Sequence, residues 1–463
     1  MPQTKSDAPQ PSAGGVITPT VQYARRLGLF SGTMLVIGGI IGSGIFLNPA
    51  IVAQRVGTPG LTLAAWVLGG AVALLGAFVF AELGARRPRA GGGYVYLRDA
   101  FGPLIAFLYA WALLLVMATG AIAAVSVTFA RYTVALFGLA PSLTVPLAVG
   151  ATLFLSLVNY FGVKPGAIVQ NAFTVLKLAA IAALVIAGLA LVTSGLPTGG
   201  SAAPTGGALV LAMGAALVPV LFAYGGWQQT NFVAEELIEP ERNLPRALVI
   251  GVIGVVLAYV FANITYLRVL GAGGLAASAA PAADVMRRVL GPTGATVISA
   301  GIAVSTFGFL NLVILVSPRV YQTMAADGLF FPQLARLHPR YRTPAFALGF
   351  QAAWAVLLTL IGTYGQLLDY VVFGDWIFFA LNAAALMVFR YRDRTDPAAP
   401  GFRVPGYPWP PLLFIAAAAY VMIGSIVSNP ANALRGTLLL AVGIPVFWYW
   451  KGRSGKRETG KGS

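Results

Sequence analysis

Long apolar runs recur along the whole chain and are separated by short polar segments. A hydrocarbon core takes roughly 20 mainly apolar residues to cross as a helix, and about twelve runs reach that length. They fall at Leu27–Val52, Thr62–Ala85, Phe101–Leu136, Leu143–Gly162, Gly166–Val192 and Ala208–Glu235. A second set follows at Ala247–Val269, Thr293–Ala325, Pro344–Gly362, Gln366–Phe389, Pro411–Val427 and Leu434–Trp450. The third and eighth exceed the length required, which predicts tilt. The pattern predicts an all-α polytopic membrane protein of about twelve transmembrane helices.

Composition agrees. The chain is 58% hydrophobic, 10% charged and free of cysteine. A soluble domain of that balance would expose far too much apolar surface, so the lipid bilayer is its natural surrounding. The net charge of +16 does not point to nucleic acid, because the basic residues lie singly or in small groups between apolar runs. The absence of cysteine excludes disulfides and thiolate metal sites. The first twenty residues, rich in Pro, Ser, Gly and Gln, predict a disordered tail. They lack the apolar core of a signal peptide.

Basic residues also set an orientation. With the N-terminus inside, inner segments hold Arg25, Arg26, Arg86, Arg87, Arg89, Arg98, Lys164, Arg242, Arg246, Arg336, Arg340, Arg342, Arg390, Arg392, Arg394, Arg403 and a basic tail. Outer segments hold little beyond Arg55, Arg268, Arg287, Arg288 and Arg435, and the outer loop Ser194–Gly207 has no charge. The positive-inside bias predicts cytoplasmic termini and a multi-pass protein of the cell (inner) membrane.

Two spans carry interruptions. The first contains Gly38-Gly39-Ile40-Ile41-Gly42-Ser43-Gly44-Ile45-Phe46; the sixth contains Pro219 and then Phe222-Ala223-Tyr224-Gly225-Gly226-Trp227. Either cluster alone is explained by close helix packing, since small residues are common at membrane helix interfaces. Together they occupy matching positions of two five-span halves, which points to a substrate site. A half-helix that begins after a break presents free N–H groups to a carboxylate. One that ends before a break presents carbonyls to an ammonium. The expected ligand is therefore zwitterionic.

Charges inside spans come next. Lys177 lies deep in an apolar run, where an ammonium is costly unless paired or hydrated; its roles are a proton carrier, a fixed charge in place of a sodium ion, or an interfacial side chain. Glu82 reads equally as a water-facing helix-end charge and as a gating residue, and Asp375 as a residue that does or does not face a cavity. Glu235, Glu236, Glu239 and Glu241 with Arg242 and Arg246 predict a solvated, partly paired inner loop, and His338 an ordinary loop residue. Gly91-Gly92-Gly93 reads as an inner-loop turn. There is no Walker loop and no acid–base or nucleophilic constellation, so neither an enzyme nor a cofactor is expected.

The stretch Ile40–Phe46 with Pro49 resembles the first-span signature of the amino acid–polyamine–organocation superfamily. Phe222–Trp227, Asn231-Phe232-Val233, Glu235-Glu236, Asn243–Ala247, His338-Pro339 and Arg342-Thr343-Pro344 resemble its L-type amino-acid transporter branch. The resemblance implies five plus five inverted spans with two appended. The divisions are a cytoplasmic tail at 1–24, repeats at 25–194 and 205–390, two helices in 391–451, and a basic tail at 452–463. It also implies that the Ser43 and Gly44 amides, with Ile45 beside them, hold a substrate carboxylate. Ile40, Phe222 and Gly225 would offer carbonyls to its ammonium, with Ile41 and Ala223 completing the set. The Phe222 ring would be an outer gate, and Lys177 would stand where relatives bind sodium.

Animal members of the branch are disulfide-linked to an accessory glycoprotein. A chain without cysteine resembles the stand-alone prokaryotic members, and no such partner is expected. Gly39 stands where a small hydroxyl residue is often found. Thr119, Ser126, Ser305 and Asn311 are candidates for the wall facing the substrate side chain. The expected function is sodium-independent exchange of neutral L-amino acids by alternating access. Proton-coupled symport is the alternative, and a channel or an amino-acid-sensing receptor is the rival from another class.

Overall fold

The computed structural model describes residues 22–191, 204–361, 364–394, 401–428 and 430–459. Most of the 1–24 tail, most of the outer loop Ser194–Gly207 and residues 460–463 of the basic tail lie outside the described residues. What is described is helical, with an isolated parallel bridge between Leu27 and Leu237 as the only β pairing among the described residues.

The helices begin and end where backbone chemistry directs. Proline stands at the start of Pro59–Arg86, Pro103–Ala112, Pro240–Ala276 and Pro281–Val316, where a missing N–H costs no hydrogen bond. The Thr58 hydroxyl caps the second span by accepting from the Leu61 N–H at 3.3 Å. Gly57 and Gly138 close helices in the left-handed region.

Eight helices are long and apolar enough to cross a bilayer. The pair Leu29–Ile40 and Gly44–Val56, bent by 41°, makes a further span, and Ala345–Ile361 and Trp409–Gly424 are shorter apolar helices. With Tyr364–Arg392 the total is about twelve. The protein is an all-α polytopic membrane protein in which helices one and six are discontinuous.

The third and eighth spans carry internal irregularities. The third, Pro103–Phe137, contains a π-turn at Leu113–Met117. The long eighth helix is divided by Gly291, at φ 69°, and stops at Val316, after which Pro318 starts a separate helix to Ala326.

Packing places the interrupted spans centrally. Span one lies against span seven and span five, its second half Gly44–Val56 against the first half of span six, Gly206–Ala223, and span eight against spans three and five. The start of span one and the end of span six are tied: the Arg26 and Leu27 amides donate to the Glu236 carbonyl at 2.9 and 3.0 Å. The Ile238 amide donates back to the Leu27 carbonyl at 2.9 Å.

Candidate substrate-binding site

Helix one ends at Ile40. Ile41 turns to φ −76°, ψ 96°, while its N–H still reaches the Ile37 carbonyl at 2.9 Å. The helix resumes at Gly44, so the amides of Gly44 and Ile45 open a new first turn and have no partner within it. In span six the helix runs from Gly206 to Ala223, and the Gly225 N–H closes it on the Phe222 carbonyl at 3.2 Å. The chain then turns at Gly226 with φ 104° and continues as a 3-10 helix, Trp227–Glu236, not as the α-helix the apolar run predicts. The Gln228 side chain helps set this geometry by accepting from the Gly226 N–H at 3.0 Å.

The two breaks touch backbone to backbone. A Cβ on Gly226 would overlap the Gly39 carbonyl, and one on Gly39 would lie 2.8 Å from the Gly226 oxygen. A Cβ on Gly44 would lie 2.9 Å from the Ala223 Cβ. Glycine is required here because only backbone fits. That also accounts for Gly39 in place of a larger hydroxyl residue.

One cavity opens at this crossing. Ile40, Ser43, Gly44, Phe222, Ala223 and Gly225 line it. Ile41 and Ile45 are fully buried and stand behind the wall, and Lys177 does not line it either. The side-chain wall differs from the sequence candidates. Thr119 and Ser126 bond to the carbonyls of Leu114 and Ala123 in their own span, and Asn311 bonds to Asn159, Gln170 and the Gly166 carbonyl. Tyr109, Met117 and Val125 of span three, Phe309 of span eight, and Asp375 and Trp376 of span ten face the cavity instead.

The carbonyl ends are held by the protein's own donors. Lys177, 0% exposed, donates from Nζ to the Gly38 and Ile41 carbonyls at 3.1 and 2.7 Å. The Ser305 hydroxyl donates toward the Gly42 and Ile41 carbonyls at 3.1 and 3.4 Å. The Tyr259 hydroxyl lies 3.2 Å from both the Ile40 and Ala223 carbonyls, and Tyr266 donates to the Ile45 carbonyl at 3.2 Å. Lys177 is therefore neither interfacial nor ion-paired among the described residues; it fills a carbonyl nest. Sequence reading missed the two tyrosines. The available clue was their spacing of seven, which puts two hydroxyls on one helix face where burial demands partners.

Buried ion pairs stand at the helix ends. Glu82, 0% exposed, does not face water: it accepts from Arg86 at 2.8 and 3.0 Å, from Arg390 at 2.5 and 2.9 Å, and from the Val404 N–H at 2.7 Å. Glu236 departs from the solvated loop expected of its neighbours, since it is buried and pairs with buried Arg319 at 2.7 Å. Glu239 and Arg242 do form the exposed pair expected there, at 3.8 Å. His338 is a loop residue whose Nδ1 accepts two backbone amides. Gly91 and Gly92 make the turn that precedes the short helix Gly93–Phe101.

Residues 27–448 match the family model described as amino acid permease. The chain belongs to that family. The permease is also 33% identical over 432 residues to the serine/threonine exchanger SteT of Bacillus subtilis (strain 168), covering 93% of this chain and 97% of that protein. It is 35% identical over 416 residues to the human b(0,+)-type amino acid transporter 1, covering 89% of the permease and 84% of the relative. Against the human large neutral amino acids transporter small subunit 2 it is 32% identical over 468 residues, covering 96% and 84%. The permease has no cysteine, so no disulfide joins it to another subunit.

Proposed function

We propose that the chain exchanges neutral L-amino acids across the cell membrane by alternating access, without sodium. The observation that carries this reading is the meeting of two interrupted helices at one cavity, with a free amide end at Gly44 and carbonyl ends at Ile40 and Ala223. A zwitterion carries both charges on adjacent atoms and matches that polarity without any charged side chain. In this reading Ser43, Gly44 and Ile45 take the carboxylate. Ile40, Phe222 and Gly225 take the ammonium, beside Ile41 and Ala223. The Ile40 oxygen accepts one internal bond, from the Tyr259 hydroxyl, which leaves a second lone pair for substrate.

Sodium independence rests on Lys177, whose ammonium occupies a carbonyl nest of the kind that suits a small cation. The names of the relatives, exchangers and amino acid transporters, favour exchange. The basic inner segments favour cytoplasmic termini, and the matching breaks favour repeats at 25–194 and 205–390. Phe222, 37% exposed at the cavity, would serve as the outer gate.

Purified protein in liposomes tests the reading. Labelled neutral amino acid should enter only when unlabelled amino acid is inside, equally in sodium and in choline. Proton-coupled symport is the second reading, favoured by the Asp375 carboxylate in the cavity wall. Uptake into liposomes empty of substrate, driven by a pH gradient, would decide for it.

A further inference from the structure

A second concave site lies at the inner end of the helices, away from the central cavity. Three separate segments bring Arg26, Lys164, Arg340 and Arg342 around it, together with Tyr341 and Glu236. The Glu236 carboxylate is engaged by Arg319, so it does not neutralise the four cations. None of the four has an acidic partner among the described residues. Elsewhere on the same face Arg86, Arg98, Arg319 and Arg390 are each paired with a carboxylate. A solvated positive face explains exposed arginines one at a time. It does not explain four that converge on one cavity from three separate segments.

The site is also built. Arg342 holds φ 55°, unusual for a residue other than glycine, within a loop closed by the His338 N–H on the Thr343 carbonyl and the Arg342 N–H on the His338 carbonyl, both at 2.8 Å. The His338 ring stacks on Tyr341 at 4.7 Å, and its Nδ1 accepts the Tyr341 N–H at 3.2 Å. The loop therefore fixes the backbone of Arg340 and Arg342, whose side chains are exposed at the cavity. Gly162, Val163 and Lys164, at the start of the long helix Val163–Ala190, line the same cavity and add the positive end of that helix.

The cavity calls for a phosphate, and its surroundings favour one carried by a lipid. Exposed Phe161 borders it. Exposed Phe30 follows Arg26 by four residues, and exposed Ile168 lies one turn beyond Lys164. These side chains offer apolar surface for acyl chains beside the cationic cluster. We infer that the pocket formed by Arg26, Lys164, Arg340 and Arg342 binds the phosphate headgroup of an anionic membrane lipid. Bound there, the headgroup bridges the foot of span one to the start of span five and to the loop before span nine. Basic pockets between helices at a membrane face suit such headgroups.

Binding can be read without transport, so failure of the exchange reading leaves this inference standing and the reverse. The full chain in uncharged detergent is titrated with short-chain phosphatidylglycerol, short-chain phosphatidylcholine or inorganic phosphate, and heat unfolding is followed by tryptophan fluorescence. Phosphatidylglycerol alone should raise the unfolding temperature in a saturable way. The Lys164→Gln, Arg340→Gln, Arg342→Gln triple variant should shift its half-saturation upward by at least about tenfold. Arg89→Gln, at another exposed position of the same face, should leave it unchanged. If the triple variant does not fold, Arg340→Gln alone should still weaken the response. No response to phosphatidylglycerol, an equal response to phosphatidylcholine, or an undiminished response in the variants overturns the inference. A full response to inorganic phosphate assigns the pocket to a soluble anion and overturns the lipid source.

Discussion

The Lys177 ammonium donates to the Ile41 carbonyl at 2.7 Å, joining the middle of span five to the edge of the break in span one. A second bond, to the Gly38 carbonyl at 3.1 Å, makes the side chain a clamp across the last turn before the interruption. The interrupted turn of span one is therefore held in part by a side chain from another span.

Lys177→Ala removes that charge and leaves two carbonyls without their donor in a buried position. Hydrogen bonds to charged groups contribute roughly 1.5–3 kcal/mol each, so the exchange rate is expected to fall by about tenfold or more. The protein should still reach the membrane, because the change makes span five more apolar. Normal initial rates of exchange in liposomes, at matched protein content, would return Lys177 to a packing role.

Gly44 lies at the point where Gly44–Val56 of span one meets Gly206–Ala223 of span six. A Cβ there stands 2.9 Å from the Ala223 Cβ and 3.1 Å from its Cα, closer than side chains tolerate. Gly44→Val is expected to abolish substrate binding by wedging the breaks apart and covering the amide end. Binding of labelled amino acid to purified protein checks this, with expression and size-exclusion behaviour as the measure of folding. Retained binding would mean the carboxylate lies elsewhere.

Tyr259 joins the two breaks through its hydroxyl, 3.2 Å from the Ile40 and Ala223 carbonyls. Tyr259→Phe keeps the ring contacts with Trp66 and Tyr224 and deletes only the hydroxyl. One neutral hydrogen bond is worth about 1 kcal/mol, so a several-fold loss of exchange is expected. A variant that transports at the native rate would show that the breaks hold their geometry without it.

How much of this was legible beforehand follows from the same residues. Apolar run length marked the spans, and glycine at Gly42, Gly44, Gly225 and Gly226 marked the breaks, because both are local properties of the chain. Glu82 and Glu236 could not be placed from sequence. Apart from Arg86, one turn from Glu82, their partners Arg390, Val404 and Arg319 are distant in the chain, and a carboxylate at a helix end looks the same whether water or an arginine faces it. The cavity wall, for which the sequence offers candidates without an assignment, stays open for a related reason. Thr119 and Ser126 turn their hydroxyls back onto their own helix, an option open to any serine or threonine in a span. The π-turn at Leu113–Met117 rotates which residues of span three face inward, and no local pattern announces it.

The Glu236–Arg319 pair gives the last prediction. Both side chains are 1% exposed, and the Glu236 backbone carbonyl also holds the amides of Arg26 and Leu27 at the foot of span one. Removing one member of a buried pair leaves an uncompensated charge, at a cost of roughly 3–5 kcal/mol, whereas replacing both with neutral groups of similar size costs far less. Arg319→Met should therefore lower the unfolding temperature in detergent markedly, and adding Glu236→Gln to it should restore much of the loss. If the pair is also the inner latch, the double variant should regain stability without regaining the native exchange rate, since the two spans would close without their charged contact. Equal destabilisation by the single and double variants would show that the pair contributes little as a pair. Full recovery of both stability and exchange would remove the latch role while keeping the pairing energetics.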